Sequence, residues 1–407
     1  MTMPFAIALS GLNAASADLG VTANNVANVN TTGFKMSRAQ FSEVFAVGTQ
    51  SVSSSASGSG VRLSAIAQQF TQGNIDFTDN ALDLAIAGEG FFVLSDNGAR
   101  VYSRAGAFGV DNQGNVVNAQ GLRLQAYPYA GNGLFNTGTP TDLQLTIGAN
   151  PPAATTSANL GLNLPADSPV PANPVFSPSD PSSFNHTTSV TIYDSLGAAH
   201  TATVYFIKDP APNTWNTAVE IDGTTVAGAT PIVFANDGSL QSPPGGLMPL
   251  APYTPTTGAA DITMALNFAT ATQFGDAFGV NSLSQDGFTT GRLTGVSVDA
   301  EGVVFARFTN GQSTSLGKLA LANFVNPQGL QQLGDTTWGQ SFQSGDALLG
   351  EAGTASFGNI QSGALEASNV DLTAQLVQMI TAQRNFQANA QMISTADTVT
   401  QTVINIR

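Results

Sequence analysis

Two histidines, His186 and His200, are the whole imidazole complement of this 407-residue chain, and no cysteine accompanies them. Imidazole-based acid–base work would have to be built around those two side chains, and thiolate chemistry is excluded. Both histidines flank stretches that predict strands, where histidine serves as a surface or strand-end residue. Asp76, Asp79 and Asp83 form a candidate cation cluster, but their spacing is not that of an EF-hand loop. Carboxylates that open turns act as Asx-turn formers. No HExxH, P-loop, GxGxxG or GxSxG pattern occurs. Gly58-Ser59-Gly60 lies in a Gly/Ser stretch without the strand–turn–helix context of a nucleophile. A carboxylate pair for glycoside hydrolysis depends on a separation in space, and nothing in the sequence singles one out. No catalytic residue, cofactor or metal is indicated, and the chain reads as a non-enzyme.

The strongest pattern is positional. Near the start, Phe5, Leu9, Leu12, Ser16, Leu19, Ala23 and Val26 recur at alternating steps of four and three. Near the end, Leu372, Leu376, Met379, Gln383, Phe386, Ala390, Ile393, Asp397, Thr400 and Ile404 do the same. That is the seam spacing of helices packed along one another, so each stripe predicts a long helix and the two ends are expected to meet in a bundle. Both helices are poor in charge: residues 1–30 carry only Asp18, and residues 369–407 carry Asp371, Arg384, Asp397 and Arg407. A solvated helix face normally displays Lys and Glu. Here it displays Ala, Ser, Thr, Asn and Gln, which can be buried once their hydrogen bonds are met. Two readings fit: a helix surrounded by copies of itself in a polymer, or a coiled hairpin inside one soluble protein.

Formal charge is −15 with 12 basic residues and no basic cluster, which argues against nucleic acid and against an anionic membrane surface. No apolar run is read as approaching the roughly 18 residues of a membrane span. Met1–Ala17 lacks a basic n-region and is interrupted by Ser10, Gly11 and Asn13, so it is read as retained and not as a cleaved signal. The first helix is expected to fray near Asn24-Asn25, because asparagine tolerates left-handed geometry. Phe34–Phe45 forms a short apolar-spaced piece, and 48–60 is a Gly/Ser linker.

From about Val61 the period changes to two. Turn signals at Asp96-Asn97-Gly98, Asp111–Gly114, Asp194–Gly197, Asp222-Gly223, Asp237-Gly238 and Asp299–Gly302 sit between apolar runs, the mark of antiparallel hairpins. Pro and Ala density rises at 149–181 and 243–255. The expected fold is α+β. Terminal helices at 1–30 and 365–407 form a coiled-coil-like inner domain, and 31–70 is a connecting segment. A discontinuous all-β domain spans 71–145 and 285–364, and a second all-β domain is inserted at 146–284.

Three blocks then carry a resemblance. Leu12–Lys35 reads LNAASADLGVTANNVANVNTTGFK. Asp83–Tyr127 contains DLAIAGEGFFVLS, YSRAGAF and NAQGLRLQAY. Gly363–Arg407 is the third, with TQFGDAFGVNSLSQDGF at 272–288, LANFVNPQGL at 321–330 and YDSLG among flanking strands at 190–207 as further detail. Covering about half the chain, they resemble the rod and hook family of axial proteins of the bacterial flagellum. The β insertion and the DLAIAGEGFFVLS block are similar to its hook branch. The resemblance implies a structural subunit that self-assembles into a curved helical tube, joins rod to filament and transmits torque as a universal joint. It also implies flagellar rod, hook-cap and hook–filament junction proteins as partners, with passage through the flagellar export apparatus to the outside of the cell without signal cleavage. Neither nucleic acid nor membrane insertion is implied.

The assembly interface is then expected at Phe5, Leu9, Leu12, Leu19, Asn24, Asn25, Val26 and Asn28 of the first helix. On the second helix it is expected at Leu372, Leu376, Met379, Phe386, Ile393, Val403 and Ile404. A distal-rod-type subunit with an insertion, or a secreted carbohydrate-binding β-protein with helical ends, are the alternatives.

Overall fold

The computed structural model describes residues 3–44, 58–145, 148–354 and 356–405, and its chain divides into two compact units. Helix α1 (Met3–Ala27) and helix α2 (Leu372–Asn405) belong to the first unit, which comprises Met1–Ile147, Gly295–Arg307 and Ser313–Arg407. Proline falls only in the first turn of α1, where its missing N–H costs nothing, and α1 runs past Asn24-Asn25 to Ala27 instead of fraying there. The reason is tertiary. Asn25 is 2% exposed, donates to the Ser37 carbonyl (2.8 Å) and the Gln375 side chain (3.0 Å), and accepts from the Ser37 amide (2.9 Å). Asp371 caps α2 by accepting the amides of Thr373 and Ala374.

The two helices pair through small side chains. Ala8, Ala15 and Thr22 of α1 and Gln375 and Ala382 of α2 are buried, and a Cβ on Gly11 would lie 2.4 Å from the Asn389 side chain. The contact stripe is thus rotated from the expected one. Phe5, Leu9, Ser16 and Ala23 point outward, as do Leu372, Leu376, Gln383, Phe386, Asp397 and Thr400, while Leu12, Leu19, Val26, Met379, Ala390 and Ile393 are half-buried.

The 31–70 segment is more than a connection. Strands β1 (Ser37–Glu43) and β2 (Val61–Gln68) pair antiparallel, with a bulge at Gln40/Phe41. Residues 45–57, most of the expected Gly/Ser linker, lie outside the described residues.

The sheet of this unit interleaves strands distant in sequence. Ser313–Asn323 pairs with Arg123–Gly131 and with Phe91–Asp96, and Thr337–Gly339 pairs with Ala99–Ser103. Alternation along Phe91–Asp96 sends Phe92 and Leu94 into one core with Leu84, Leu124, Leu319 and Leu321. Phe91 and Val93 go to the other face with Tyr102, Tyr127, Phe324 and Trp338.

The second unit, Gly148–Thr294 with Phe308–Gln312, is all β. His186–Tyr193, Ala199–Lys208, Thr214–Ile221, Thr224–Phe234 and Leu240–Ser242 form an antiparallel meander. Ser157–Asn163 joins a four-stranded sheet with Leu247–Pro249, Ala265–Asn267 and Gly279–Gln285. Their inward faces share a core that includes Leu160, Leu162, Phe206, Trp215, Val219, Leu266 and Phe268. Each of the turn signals read from the sequence lies between consecutive antiparallel strands. The fold is mostly β with one helix at either end and more than one β domain.

Candidate assembly surface

With small residues inside the helix pair, the large ones are left outside. Phe5 is 49% exposed, Leu9 42%, Leu372 and Leu376 44%, and Val377, Ile380, Met392 and Val399 are exposed too. A row of this kind on one helix pair exceeds what scattered surface apolar residues account for. The polar groups of α2 are prepared for burial. Thr381, Thr395, Thr398, Thr400 and Thr402 each donate to the carbonyl four residues back, at 2.8–2.9 Å. A hydroxyl satisfied within its own helix needs no water, so this face can be covered without stranding a donor.

The expected interface residues divide accordingly. Phe5, Leu9, Leu372, Leu376 and Phe386 present themselves outward, while Leu12, Leu19, Val26, Met379 and Ile393 serve partly in the α1–α2 pairing. Asn25 is buried, and its side-chain amide is engaged within the chain by Ser37 and Gln375. Asn24 and Asn28 line a cleft together with Lys35, Gln68, Gln332 and Asp335. Val403 and Ile404 fall on the last turn of α2, and their side chains lie outside the described residues.

A correction concerns α1. Over Phe5–Ala27 its length and its mean hydropathy of 1.2 suffice, by composition alone, to cross a bilayer. Reading uninterrupted runs missed this, because Asn13, Ser16 and Asp18 break the run without lowering the average enough. Burial among protein helices calls for the same composition.

Where the helix pair joins the β sheet, a buried ion cluster ties both ends of the chain together. Lys35 Nζ lies 2.6 Å from Glu366 Oε1, and Arg104 lies 3.2 Å from Glu366 Oε2. Lys35 also donates to the Thr71 carbonyl, and the Gly73 amide donates to Glu366. Burial pushes the Lys35 ammonium below its ordinary value, against the opposing pull of Glu366. Beside it, Asn369 accepts from the Met36 amide and donates to the carbonyls of Gln69 and Thr71. Sequence reasoning missed this cluster, whose members are 331 residues apart (Lys35–Glu366) and 262 apart (Arg104–Glu366).

The second unit holds another charged cluster. His200 is at a strand end, as expected, but is buried at 7% exposure. Its Nδ1 lies 2.6 Å from Asp222 and its Nε2 3.4 Å from Asp194, Tyr253 donates to Asp222, and Thr257 donates to Asp194. Burial opposes the imidazolium, yet the hydrogen bonds and charges of Asp222 and Asp194 outweigh it and raise the His200 value. Burial likewise opposes the two carboxylates. Hydrogen bonds from Thr257, the Ala198 amide and His200 hold Asp194 low, and the Thr201 amide with His200 does the same for Asp222. The stability from His200 is therefore complete below its unfolded value of about 6.5 and is lost as pH rises through the raised folded value. That from the aspartates is present above about 3.9 and lost as pH falls through their depressed values. Melting of the second unit is expected to drop as pH rises above about 6.5 in the natural chain and to stay flat over the same rise in His200→Gln. Equal slopes in the two would remove His200 from the account. His186, by contrast, stacks on Phe278 at 4.4 Å. Asp83 accepts from Thr78 and Asn80, which is a turn-forming role.

The chain thus combines two terminal helices that leave large apolar residues exposed with β domains built from interleaved strands. The Flagella basal body rod protein family matches residues 5–35, and the Flagellar hook protein FlgE/F/G D1 domain matches 85–163. The Flagellar basal body protein FlaE D2 domain matches 163–288, and the Flagellar basal body rod FlgEFG protein C-terminal family matches 361–406. The flagellar hook proteins FlgE of Salmonella typhimurium and of Escherichia coli K12 are each 40% identical, over 425 and 423 residues, with all of both chains covered. That of Borreliella burgdorferi is 34% identical over 438 residues, covering 98% of each. The crystal structure of Helicobacter pylori flagellar hook protein FlgE2 shares the fold, with a TM-score of 0.53 at 15% identity over 72% of this chain and all of that one. The chain belongs to the flagellar hook protein family and is a structural subunit of the flagellar hook.

Proposed function

We propose that the chain polymerises with copies of itself into a curved helical tube that joins rod to filament and transmits torque as a universal joint. The observation that carries this reading is the inversion at the helix pair, where small residues face inward and large apolar residues face out. Burying Leu or Ile against a neighbour contributes about 1.5–3 kcal/mol per side chain, and a row of them repeats that gain at every subunit.

In this reading residues 1–30 and 365–407 form the polymerising inner domain and 31–70 connects it outward. A β core is built on 71–145 and 285–364 and an inserted β domain on 146–284, the latter taking in 285–294 and 308–312 as well. Phe5, Leu9, Leu372, Leu376 and Phe386 carry the contact between copies. Rod, hook-cap and hook–filament junction proteins are the end partners, reached after export through the flagellar apparatus to the cell exterior without signal cleavage. The subunit works without catalysis or cofactor, and α1 is buried among protein helices, not in a bilayer. Electron microscopy of the purified chain under polymerising conditions is the test: curved tubes are expected. Straight rods would favour a distal-rod role, and no polymer at any concentration would overturn self-assembly.

A further inference from the structure

Helix α2 carries two charged residues, Arg384 and Asp397, and α1 carries one, Asp18. Asp18 is engaged inside the helix pair, where it accepts from the Gln378 side-chain amide at 3.3 Å. Asp371, just ahead of α2, is used in the cap. Arg384 and Asp397 are both exposed, and among the described residues neither makes an ion pair or a hydrogen bond through its side chain. Each copy therefore offers one free cation and one free carboxylate on the same helix.

The position of Arg384 gives that pair of charges a meaning. At about 100° per residue it stands about 200° round α2 from Ala382, which is buried against α1. It therefore points away from α1. Val377 and Ile380, two turns and one turn earlier on the same face, are 61% and 49% exposed, so the guanidinium continues the outward apolar row. A neighbouring copy that covers the row also covers the charge. A cation taken out of water is strongly unfavourable unless a carboxylate meets it. Guanidinium suits such a place, being weakly hydrated and able to hold a carboxylate through two parallel N–H donors. No carboxylate of its own helix pair is within reach. Asp397 lies about 20 Å further along α2 and about 140° round it, and Asp18 sits on α1, from which Arg384 faces away.

We propose that Arg384 of one copy pairs with Asp397 of a neighbouring copy, a charge contact set within the apolar row. This rests on the self-assembly reading and adds to it the contact that sets register. Apolar side chains gain nearly as much from a contact shifted along the helix, whereas a single cation and a single carboxylate meet at one offset.

Charge reversal in trans is the test. Arg384→Glu and Asp397→Arg are each expected to stay in the supernatant where the natural chain pellets as tubes. An equimolar mixture of the two is expected to pellet, because every contact in an alternating array then joins opposite charges. The double variant Arg384→Glu/Asp397→Arg is expected to pellet by itself. Rescue in either arm sustains the pair. Folded reversals that neither arm rescues overturn it, and so does a single reversal that pellets like the natural chain. Circular dichroism of each lone subunit should match the natural one, since both side chains are exposed there. A subunit that unfolds on reversal overturns the pair as well, because these charges would then be holding the lone fold. Failure of the natural chain to form tubes removes the self-assembly reading itself, and this pair with it.

Discussion

Glu366→Gln is expected to destabilise the subunit by about 3–5 kcal/mol, the cost of breaking a buried ion cluster by removing its shared partner. The substitution keeps shape and volume, so packing losses are minor and the effect reports charge. Glu366 and Lys35 have side chains with no exposure, and Arg104 has 5%. With the carboxylate gone, two buried cations face one neutral amide, whose NH₂ end can only donate where one of them now finds an acceptor. Lys35 keeps the Thr71 carbonyl, while Arg104 keeps the Gly88 carbonyl and the Phe91 ring 5.4 Å away. Burial already lowers the Lys35 pKa, so the variant is expected to shed the Lys35 proton more readily still. Denaturant unfolding of variant and natural chain measures the loss. A difference under about 1 kcal/mol, the usual ceiling for an exposed pair, would mean the cluster is solvated and does not tie the chain ends to the β core.

Leu376→Asp should act in the opposite place. Leu376 is 44% exposed in the single subunit, and a substitution at such a surface site changes stability by about 0.5 kcal/mol or less. In a polymer that covers it, the same change loses the apolar contact and buries a carboxylate on a helix whose cation nearest in sequence is Arg384. The penalty is on the order of 3–5 kcal/mol per contact, repeated at each subunit. Sedimentation should find the variant in the supernatant where the natural chain pellets, with circular dichroism of the two subunits alike. Ala382→Asp is the contrast, because Ala382 is 1% exposed within the α1–α2 seam and its change should disturb the lone subunit as well. Pelleting of Leu376→Asp like the natural chain would place Leu376 away from neighbouring copies.

Much of the architecture was legible because its signals are local. Asx and Gly residues at the hairpin turns name the turn by the φ values they tolerate, and the seven-residue recurrence names the end helices. The rotation of the helix seam was not legible by the same logic. Reading by apolar size puts Phe5, Leu9, Leu372 and Leu376 inside, whereas Ala8, Gly11, Ala15 and Ala382 let two backbones approach and so take the inner face. Asn25 was read as a helix breaker because its tie to Gln375 spans 350 residues. The same holds for Lys35 with Glu366, 331 residues apart. His200 reads as a strand-end residue because its partners Asp194 and Asp222 belong to turns, yet only Asp194 closes its own turn through the Ala198 amide, while Asp222 accepts the Thr201 amide 21 residues away.

Helical reconstruction of the assembled chain by electron cryo-microscopy, at a resolution that shows side chains, tests the central claim most directly. The account predicts a tube in which Leu9, Leu372, Leu376 and Ile380 lie against helices of neighbouring copies while Ala8, Ala15 and Ala382 stay within each subunit's own helix pair. A tube whose neighbours touch only through β domains, with that apolar row facing water, would contradict it.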